Sequence, residues 1–328
     1  MPGLDLSPET RLALLLCGSL ARPRVAGPGP LSAPEYTRVR DWRDRHHLAA
    51  EDLLAPRRAP EWPTEDLERI DPARLAAQLD RVDALNAALQ RWAKHGLWVL
   101  GRTDPGYPPR LLSRLGKGAP PVLYGVGTLE ALSSGGLVIV GSRAADAPGL
   151  AFARQVARAC VAIGIPVISG GAAGVDGEAM SAALGAGGRV AAVLAHNLAG
   201  TARSARYRDH VRAEALALIS PFDPDSHFSV ASAMGRNRVI HALGDCSLVV
   251  SAAAYRGGTW AGAVEHLRRG VTPLLVRDGL DVPEGNRRLV ALGAEPLDPS
   301  ASPLFDHLHD ALSRGRTVNQ PTGTGLDG

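Results

Sequence analysis

The chain has 328 residues, of which 45% are hydrophobic and 21% are charged, and its formal net charge is only +3. Such a composition supports a sizeable core and excludes both a disordered chain and a basic field over the whole molecule. No apolar run approaches the roughly 18 residues that span a bilayer, so we expect a cytoplasmic protein without membrane contact.

The candidate metal-binding and catalytic side chains are scattered along the sequence. The three cysteines, Cys17, Cys160 and Cys246, lie far apart and have no paired spacing. They predict buried thiols rather than disulfide bonds or a zinc site. No serine-hydrolase elbow or zinc-protease motif occurs either. We therefore expect no metal, no cofactor and no catalytic residues.

Residues 1–95 predict a small N-terminal helical module. Ser7 is an N-cap candidate followed by proline, and it begins a predicted helix that includes Leu12 to Cys17. A second helix is predicted around Trp42. Apolar residues at helical spacing predict a further helix over Arg74 to Trp92.

Residues 96–298 show a different pattern, in which short apolar runs alternate with alanine-rich helical segments. Strands that are apolar on both faces and separated by helices indicate a parallel sheet covered on both sides. The predicted fold class is therefore α/β, a doubly wound Rossmann-like parallel sheet with the small N-terminal helical module. The C-terminal tail, 299–328, is predicted to be partly disordered. The predicted strands are Leu97–Leu100, Val122–Tyr124, Leu137–Val140, Val167–Ser169, Val190–Leu194, Ala217–Ser220, Ser247–Ser251 and Pro273–Val276. The predicted helices between them are Leu150–Ile163, Gly177–Ala186, Ser204–Ala213, Ala233–Leu243 and Trp260–Arg269.

Three glycine-bearing segments follow predicted strands, at the edge where open parallel sheets bind ligands. Backbone N–H groups in such loops, together with the partial charge of a helix start, suit an anion. One such loop would be an ordinary tight turn, but three of them beside an arginine favour a phosphate-bearing ligand. The residues are Gly141 and Ser142 before Arg143, then Ser169, Gly170, Gly171 and Gly174, and finally Gly257, Gly258 and Thr259.

A fourth segment, Arg236-Asn237-Arg238, places two arginines at the opening of a predicted helix. Guanidinium groups make bidentate contacts with phosphates, which a nucleic-acid backbone offers. A solvated helix start is the alternative interpretation of this segment.

These motifs, in this order, resemble those of the DNA-processing protein A family, also called DprA or Smf. The resemblance covers about residues 97 to 297 and is that of a divergent member. Met180 stands where the family usually has a histidine, and Arg277-Asp278 replaces a Pro-Gly pair. The motifs are Tyr107-Pro108, Pro120-Pro121-Val122-Leu123-Tyr124, Gly141-Ser142-Arg143, Ser169 to Asp176, Arg236-Asn237-Arg238, Gly257-Gly258-Thr259 and Gly285-Asn286.

The resemblance implies a Rossmann-like, non-enzymatic domain that binds single-stranded DNA and forms a homodimer. It also implies a role in loading the RecA recombinase onto incoming DNA during natural transformation. In this family the corresponding arginines line a basic pocket for the DNA backbone. The DNA-binding residues expected by resemblance are Arg143, Arg236 and Arg238, with Ser142 and Asn237 beside them.

Two alternatives remain open at this point. The Ser-Gly-Gly loop is closer to LOG-type phosphoribohydrolases, which act on nucleoside monophosphates, and Glu265 loosely matches their catalytic glutamate. The chain would then be a nucleotide-binding enzyme or sensor. The second alternative is a defence-associated regulatory homologue that has kept the fold and lost the loading role.

Overall fold

The structure is a computed structural model, and it describes residues 6–20, 29–55, 70–299 and 304–317. The helices in chain order are α1 (Pro8–Cys17), α2 (Ala33–Arg45), α3 (Ala50–Leu54), α4 (Pro72–Leu79), α5 (Val82–Lys94), α6 (Pro109–Leu115), α7 (Glu130–Ser133), α8 (Ala147–Ala162), α9 (Val175–Gly185), α10 (Leu198–Arg203), α11 (Arg208–Arg212), α12 (Val230–Leu243), α13 (Gly257–Arg269), α14 (Glu284–Ala291) and α15 (Leu304–Thr317). The strands are β1 (Trp98–Gly101), β2 (Val122–Val126), β3 (Leu137–Gly141), β4 (Val167–Ser169), β5 (Val190–Val193), β6 (Leu216–Ser220), β7 (Cys246–Ser251), β8 (Leu274–Arg277) and β9 (Glu295–Leu297). None of the described helices is long and apolar enough to cross a membrane.

The chain divides into two compact units. The first comprises Met1–Gly127, Leu194–Arg212 and Leu218–Ser232, and the second comprises Thr128–Val193, Ala213–Ala217 and Ala233–Gly328. The first unit thus continues past residue 95 to include β1 and β2. The boundaries at residues 95 and 298 remain predictions about which segments fold independently.

The first unit begins with the helix that the sequence predicted. Ser7 caps α1, because its hydroxyl accepts the N–H of Thr10 at 3.2 Å, and proline follows it. The predicted helix over Arg74 to Trp92 is two helices, α4 and α5. The break between them places the buried guanidinium of Arg81 against the backbone carbonyls of Leu15 and Gly18 near the end of α1.

The strands of the first unit correct the prediction of a wholly parallel sheet. β1 pairs with β2 in antiparallel register, and β2 pairs in the same way with the end of β6. Every residue of β2 is buried. A strand that is covered on both faces is apolar whatever its direction, so the pattern alone could not reveal the reversal.

The second unit is the predicted Rossmann-like part. Its strands are hydrogen-bonded in the order β5-β4-β3-β7-β8-β9, and each neighbouring pair in this order is parallel. The core lies along β3, whose residues are all buried. From β3 the chain winds outward through β4 and β5, and from β7 it winds the other way through β8 and β9. Since crossovers between parallel strands are right-handed as a rule, we expect α8 and α13 to lie on opposite faces of the sheet.

The sequence pattern missed several elements, including α6 (Pro109–Leu115) and α14 (Glu284–Ala291), and misplaced others. The edge strand β9 contains Pro296, and proline within a sheet is tolerated at an edge strand. Because proline usually argues against a strand, the sequence pattern did not predict β9. The predicted helix over Ser204–Ala213 is only the short α11 (Arg208–Arg212), because Ser204 is the extended C-cap of the preceding α10. The tail is not wholly irregular, since α15 buries Leu308 in the second unit. Residues 318–328, where disorder was also predicted, lie outside the described residues.

Candidate functional site

The candidate site lies where two strands of the second unit end side by side. β3 ends at Gly141, and the next N–H, that of Ser142, donates a hydrogen bond of 2.8 Å to the carbonyl of Ser251 at the end of β7. Since the chain winds away from β3 and β7 in opposite directions, this edge is a topological switch point. Open α/β sheets leave a crevice for ligands at such a point.

The loop after β4 packs directly on the loop after β3. Gly174 has φ of +78°, and a Cβ at this position would lie 2.5 Å from the carbonyl oxygen of Ser142. Glycine alone satisfies both the left-handed conformation and this close approach. Two of the predicted glycine segments are therefore in contact through their backbones.

Asp176, in the first turn of α9, connects these two loops from beneath. Its buried carboxylate accepts the N–H of Gly141 at 3.3 Å and the N–H of Gly170 at 3.2 Å. Burial raises the pKa of Asp176 to about 6, although the nearby Arg236 and the backbone donors oppose this rise. Asp176 is thus a buried acid with a raised pKa that fixes the backbone of the site.

Arg236 lies on the same buried acid rather than on the surface. Its Nη1 is 3.9 Å from Oδ2 of Asp176, and only 8% of the residue is exposed. A Cβ on Gly170 would meet Nη1 at 1.5 Å, so the guanidinium lies against that glycine. Burial lowers the pKa of Arg236; Asp176 opposes this change, and the positive charge of Arg143 adds to it. Nε has no hydrogen-bond acceptor among the described residues. Arg236 therefore sits at the back of the site.

Arg143 and Arg238 are exposed, as a surface for a charged ligand requires. The Nε of Arg238 lies 2.8 Å from Oε1 of Glu265, and the Nε of Arg269 lies 3.4 Å from the same oxygen. The carboxylate that matched a catalytic glutamate is therefore paired with two guanidinium groups.

The third glycine segment forms the start of α13. This helix begins after Arg256. The side chain of this N-cap residue accepts no hydrogen bond from the first N–H groups of the helix. Gly257 and Gly258 are exposed, while Thr259 is half-buried. The amide of Asn237 donates a hydrogen bond of 2.9 Å to the carbonyl of Gly258. Asn237 thus links the arginine segment of α12 to this loop.

The remaining predicted loop residues have different surroundings. Ser169 is fully buried, and its hydroxyl donates a hydrogen bond of 2.7 Å to the carbonyl of Ile139. This hydroxyl is consequently occupied inside the sheet and is not exposed to a ligand. Gly171 is half-buried in the loop after β4.

Asn286 is a site residue to which the sequence assigned no role. Its amide group donates to the carbonyls of Val250 at 3.0 Å and Arg277 at 2.8 Å, and its oxygen accepts the N–H of Ala252 at 2.9 Å. It therefore holds the ends of β7 and β8 together, just before the loop that leads to the third glycine segment. Its spacing from the buried Leu289 on one face of α14 is the signal that could have revealed it.

Arg277, where the sequence departs from the family pattern that it resembles, adds a further charge to this edge. It is the last residue of β8 and is 4% exposed. Its Nη2 lies 3.3 Å from Oδ1 of Asp146, the N-cap of α8. The substitution thus installs a buried arginine beside the start of the helix that follows β3.

Two of the scattered histidines are brought together, but not as a metal site. The rings of His241 and His266 stack with centroids 4.7 Å apart, and Nδ1 of His241 lies 2.8 Å from the hydroxyl of Ser247. Burial lowers the pKa of His241 well below its ordinary value. Within the ranges that the structure describes, no group of three or more His, Cys, Asp or Glu side chains could hold a metal ion.

Comparison with known proteins identifies relatives of this chain. The family model of DNA recombination-mediator protein A matches residues 98–306. The Smf protein of Synechocystis is 34% identical over 155 residues, which are 45% of this chain and 38% of that protein. The chain thus aligns with about two fifths of this relative.

Two solved structures resemble the fold. The DNA processing protein A of Streptococcus pneumoniae superposes with a TM-score of 0.70 at 19% identity, over 94% of this chain and 99% of that one. A structure of the Helicobacter pylori DNA processing protein A, described as giving insight into its single-stranded DNA binding mode, superposes with a TM-score of 0.54 at 21% identity. That match covers 66% of this chain and 96% of that one. At these identities both matches concern the fold.

Proposed function

The chain belongs to the DNA recombination-mediator protein A family, and we propose that its second unit binds single-stranded DNA along the phosphate backbone. The family membership and the single-stranded DNA binding of the Helicobacter pylori relative support this proposal.

The observation that carries the proposal is the charge distribution at the switch point. Arg143, Arg238 and Arg256 are exposed there, beside glycine loops and an uncapped helix start. The buried Arg236 keeps Asp176 compensated, so the acid does not present an isolated negative charge to a ligand. Guanidinium groups and unpaired backbone N–H groups both recognise phosphate oxygens.

We propose that the chain performs no chemistry on its ligand. Glu265 would have to act as the acid or base of a nucleotide hydrolase, yet it pairs with Arg238 and Arg269 on the surface of α13. An unpaired carboxylate facing the glycine loop would have favoured the enzyme.

The finer role follows the family. We propose that the chain acts as a homodimer and helps RecA-type recombinase assemble on the bound strand, in natural transformation or another recombination process. The family's description as a recombination mediator supports this role. A defence-associated function would use the same binding site with another partner.

The test is a binding titration with single-stranded, double-stranded and mononucleotide ligands at two salt concentrations. A protein that contacts several phosphates loses affinity steeply as salt rises, and each lost contact lowers the logarithmic slope by about one. We expect Arg143→Ala to weaken single-strand binding and to lower the slope by about one, while the protein stays folded.

Arg189→Ala is the matched control, because Arg189 is exposed and pairs with Glu130 just before β5, at the opposite edge of the sheet. Should Arg143→Ala leave both affinity and slope as they are in Arg189→Ala, the binding site lies elsewhere. Release of base from a nucleoside monophosphate that Glu265→Gln abolishes would establish the enzyme instead.

A further inference from the structure

Two aromatic side chains stand beside the third glycine loop. Tyr255 precedes Arg256, and Trp260 lies in the first turn of α13, with ring centroids 5.2 Å apart and planes inclined at 59°. Tyr255 is 67% exposed, whereas Trp260 is half-buried. Of the aromatic side chains that the structure describes, only Phe228 is exposed as well. We call Tyr255 and Trp260 the aromatic pair.

The Tyr255 ring is held outward rather than left loose. Its backbone has φ of +62°, a conformation that residues with a Cβ seldom adopt. The guanidinium of Arg288 lies over the ring, 4.8 Å from its centroid, and pairs with Glu284 at 2.7 Å. A ring fixed in this way loses little conformational freedom when a ligand binds.

The loop that carries the aromatic pair is anchored to the phosphate-facing groups at both ends. At its start, Ser251 accepts the N–H of Ser142, next to Arg143, and Asn286 holds the N–H of Ala252. At its far end, Gly258 accepts the amide of Asn237. The loop that carries the aromatic pair is therefore hydrogen-bonded to the direct neighbours of Arg143 and Arg238.

We propose that the aromatic pair is a base-stacking platform for a single strand whose phosphates contact Arg143, Arg238 and Arg256. The inference rests on the proposed function and adds the part of the ligand that the arginines do not contact. Unpaired bases expose flat apolar faces, which stack on aromatic rings whatever the base. In a duplex the same faces are stacked internally, so the platform also favours single strands over double strands.

The experiment compares oligo-dT with an abasic strand of equal length, which carries the same number of phosphates. We expect Tyr255→Ala to weaken oligo-dT binding by about tenfold, since one stacked base contributes an effect of that order. Binding of the abasic strand should not change. Tyr255→Phe keeps the ring and should bind both strands as the unmodified protein does.

Ile163→Ala is the control for loss of an exposed apolar side chain. Ile163 is 50% exposed at the far end of α8, at the opposite edge of the sheet, and its substitution should affect neither strand. A second readout is tryptophan emission, which oligo-dT should quench. In Trp260→Phe the remaining emission should no longer respond to oligo-dT.

The outcomes separate the two proposals. If Tyr255→Ala weakens both strands equally, or neither of them, the stacking platform is wrong while phosphate binding stands. If the unmodified protein binds neither strand, the proposed function itself fails. Persistence of the full quench in Trp260→Phe would likewise overturn the part assigned to Trp260.

Discussion

Asp176 shows how one buried side chain can both build a site and set its charge. Its carboxylate receives two backbone N–H groups from loops that follow different strands, and it faces the guanidinium of Arg236. Removing one partner of a buried pair is costly because it leaves an uncompensated charge. The pair therefore acts as a unit, and its net charge depends on the protonation of Asp176.

This leads to a prediction about pH. The pKa of Asp176 is about 6 in the folded chain, above the ordinary value of 3.8. The carboxyl accordingly stabilises the fold below about pH 3.8, and this contribution is lost as pH rises through about 6. Below pH 6 the site also gains net positive charge, so we expect single-strand affinity to rise between pH 7.5 and 5.5. Fluorescence anisotropy measures this change, and the rise should be smaller in Asp176→Asn. Equal pH dependence in the two proteins would contradict the assignment.

A second prediction concerns the contact between Gly170 and Arg236. A methyl group in Gly170→Ala would overlap the guanidinium, which must then move from its buried position. We expect a loss of about 1–3 kcal/mol in the free energy of unfolding, which is typical of overpacking, together with weaker DNA binding. Gly185→Ala is the matched control, because a Cβ there meets no atom within 4 Å. Urea titration distinguishes the two, and equal stability of both variants would count against the packing described.

At the scale of elements, α14 fixes the conformation of the loop between β7 and α13. Asn286 on this helix makes three hydrogen bonds to the ends of β7 and β8 and to the start of the third loop. From the same helix, Arg288 covers the ring of Tyr255. The conformation of the glycine loop thus depends on a helix about thirty residues later in the chain.

We predict that Asn286→Ala destabilises the fold and loosens this loop. The substitution leaves buried backbone groups without partners, each of which costs about 1–3 kcal/mol. Single-strand affinity should fall with the stability, although Asn286 carries no charge. Denaturant unfolding and hydrogen exchange at Ala252 measure the two effects. Leu292→Ala, at an exposed position just after α14, should leave both unchanged.

At the scale of the whole molecule, the first unit depends on its N-terminal helices. Leu14 and Leu16 of α1 are completely buried, and this helix packs on β1 and β2. The rings of Trp92 on α5 and Tyr124 on β2 meet with centroids 5.1 Å apart. These helices therefore cover the strands that follow them.

We accordingly predict that a chain beginning at Lys94 loses the cooperative unfolding of the first unit. Its β1 and β2 would expose apolar faces, which an apolar dye such as ANS detects. Calorimetry should retain a transition for the second unit, where the proposed site lies. In the full chain, Leu14→Ala should lower the free energy of unfolding by about 2–5 kcal/mol. A truncated chain that melts with undiminished enthalpy and binds no dye would support the predicted boundary at residue 95 instead.

The sequence by itself determined the features that depend on local pattern. Apolar runs located β3, β4 and β7 within a residue or so, the Ser7-Pro8 signal located the start of α1, and the ordered motifs identified the family. These inferences succeed because burial, capping and turn chemistry leave a mark on neighbouring residues.

The tertiary structure alone decided the features that depend on distant residues. Hydrophobic pattern reports that β2 is covered but not which strand lies beside it, so its antiparallel pairing was invisible. Charge pattern placed Arg236 and Arg238 alike at the start of a helix, yet one lies against Asp176 and Gly170 while the other is exposed beside Glu265. The difference arises because residues two positions apart on α12 point to different sides of the helix and meet different neighbours. Those neighbours come from segments that only folding brings together.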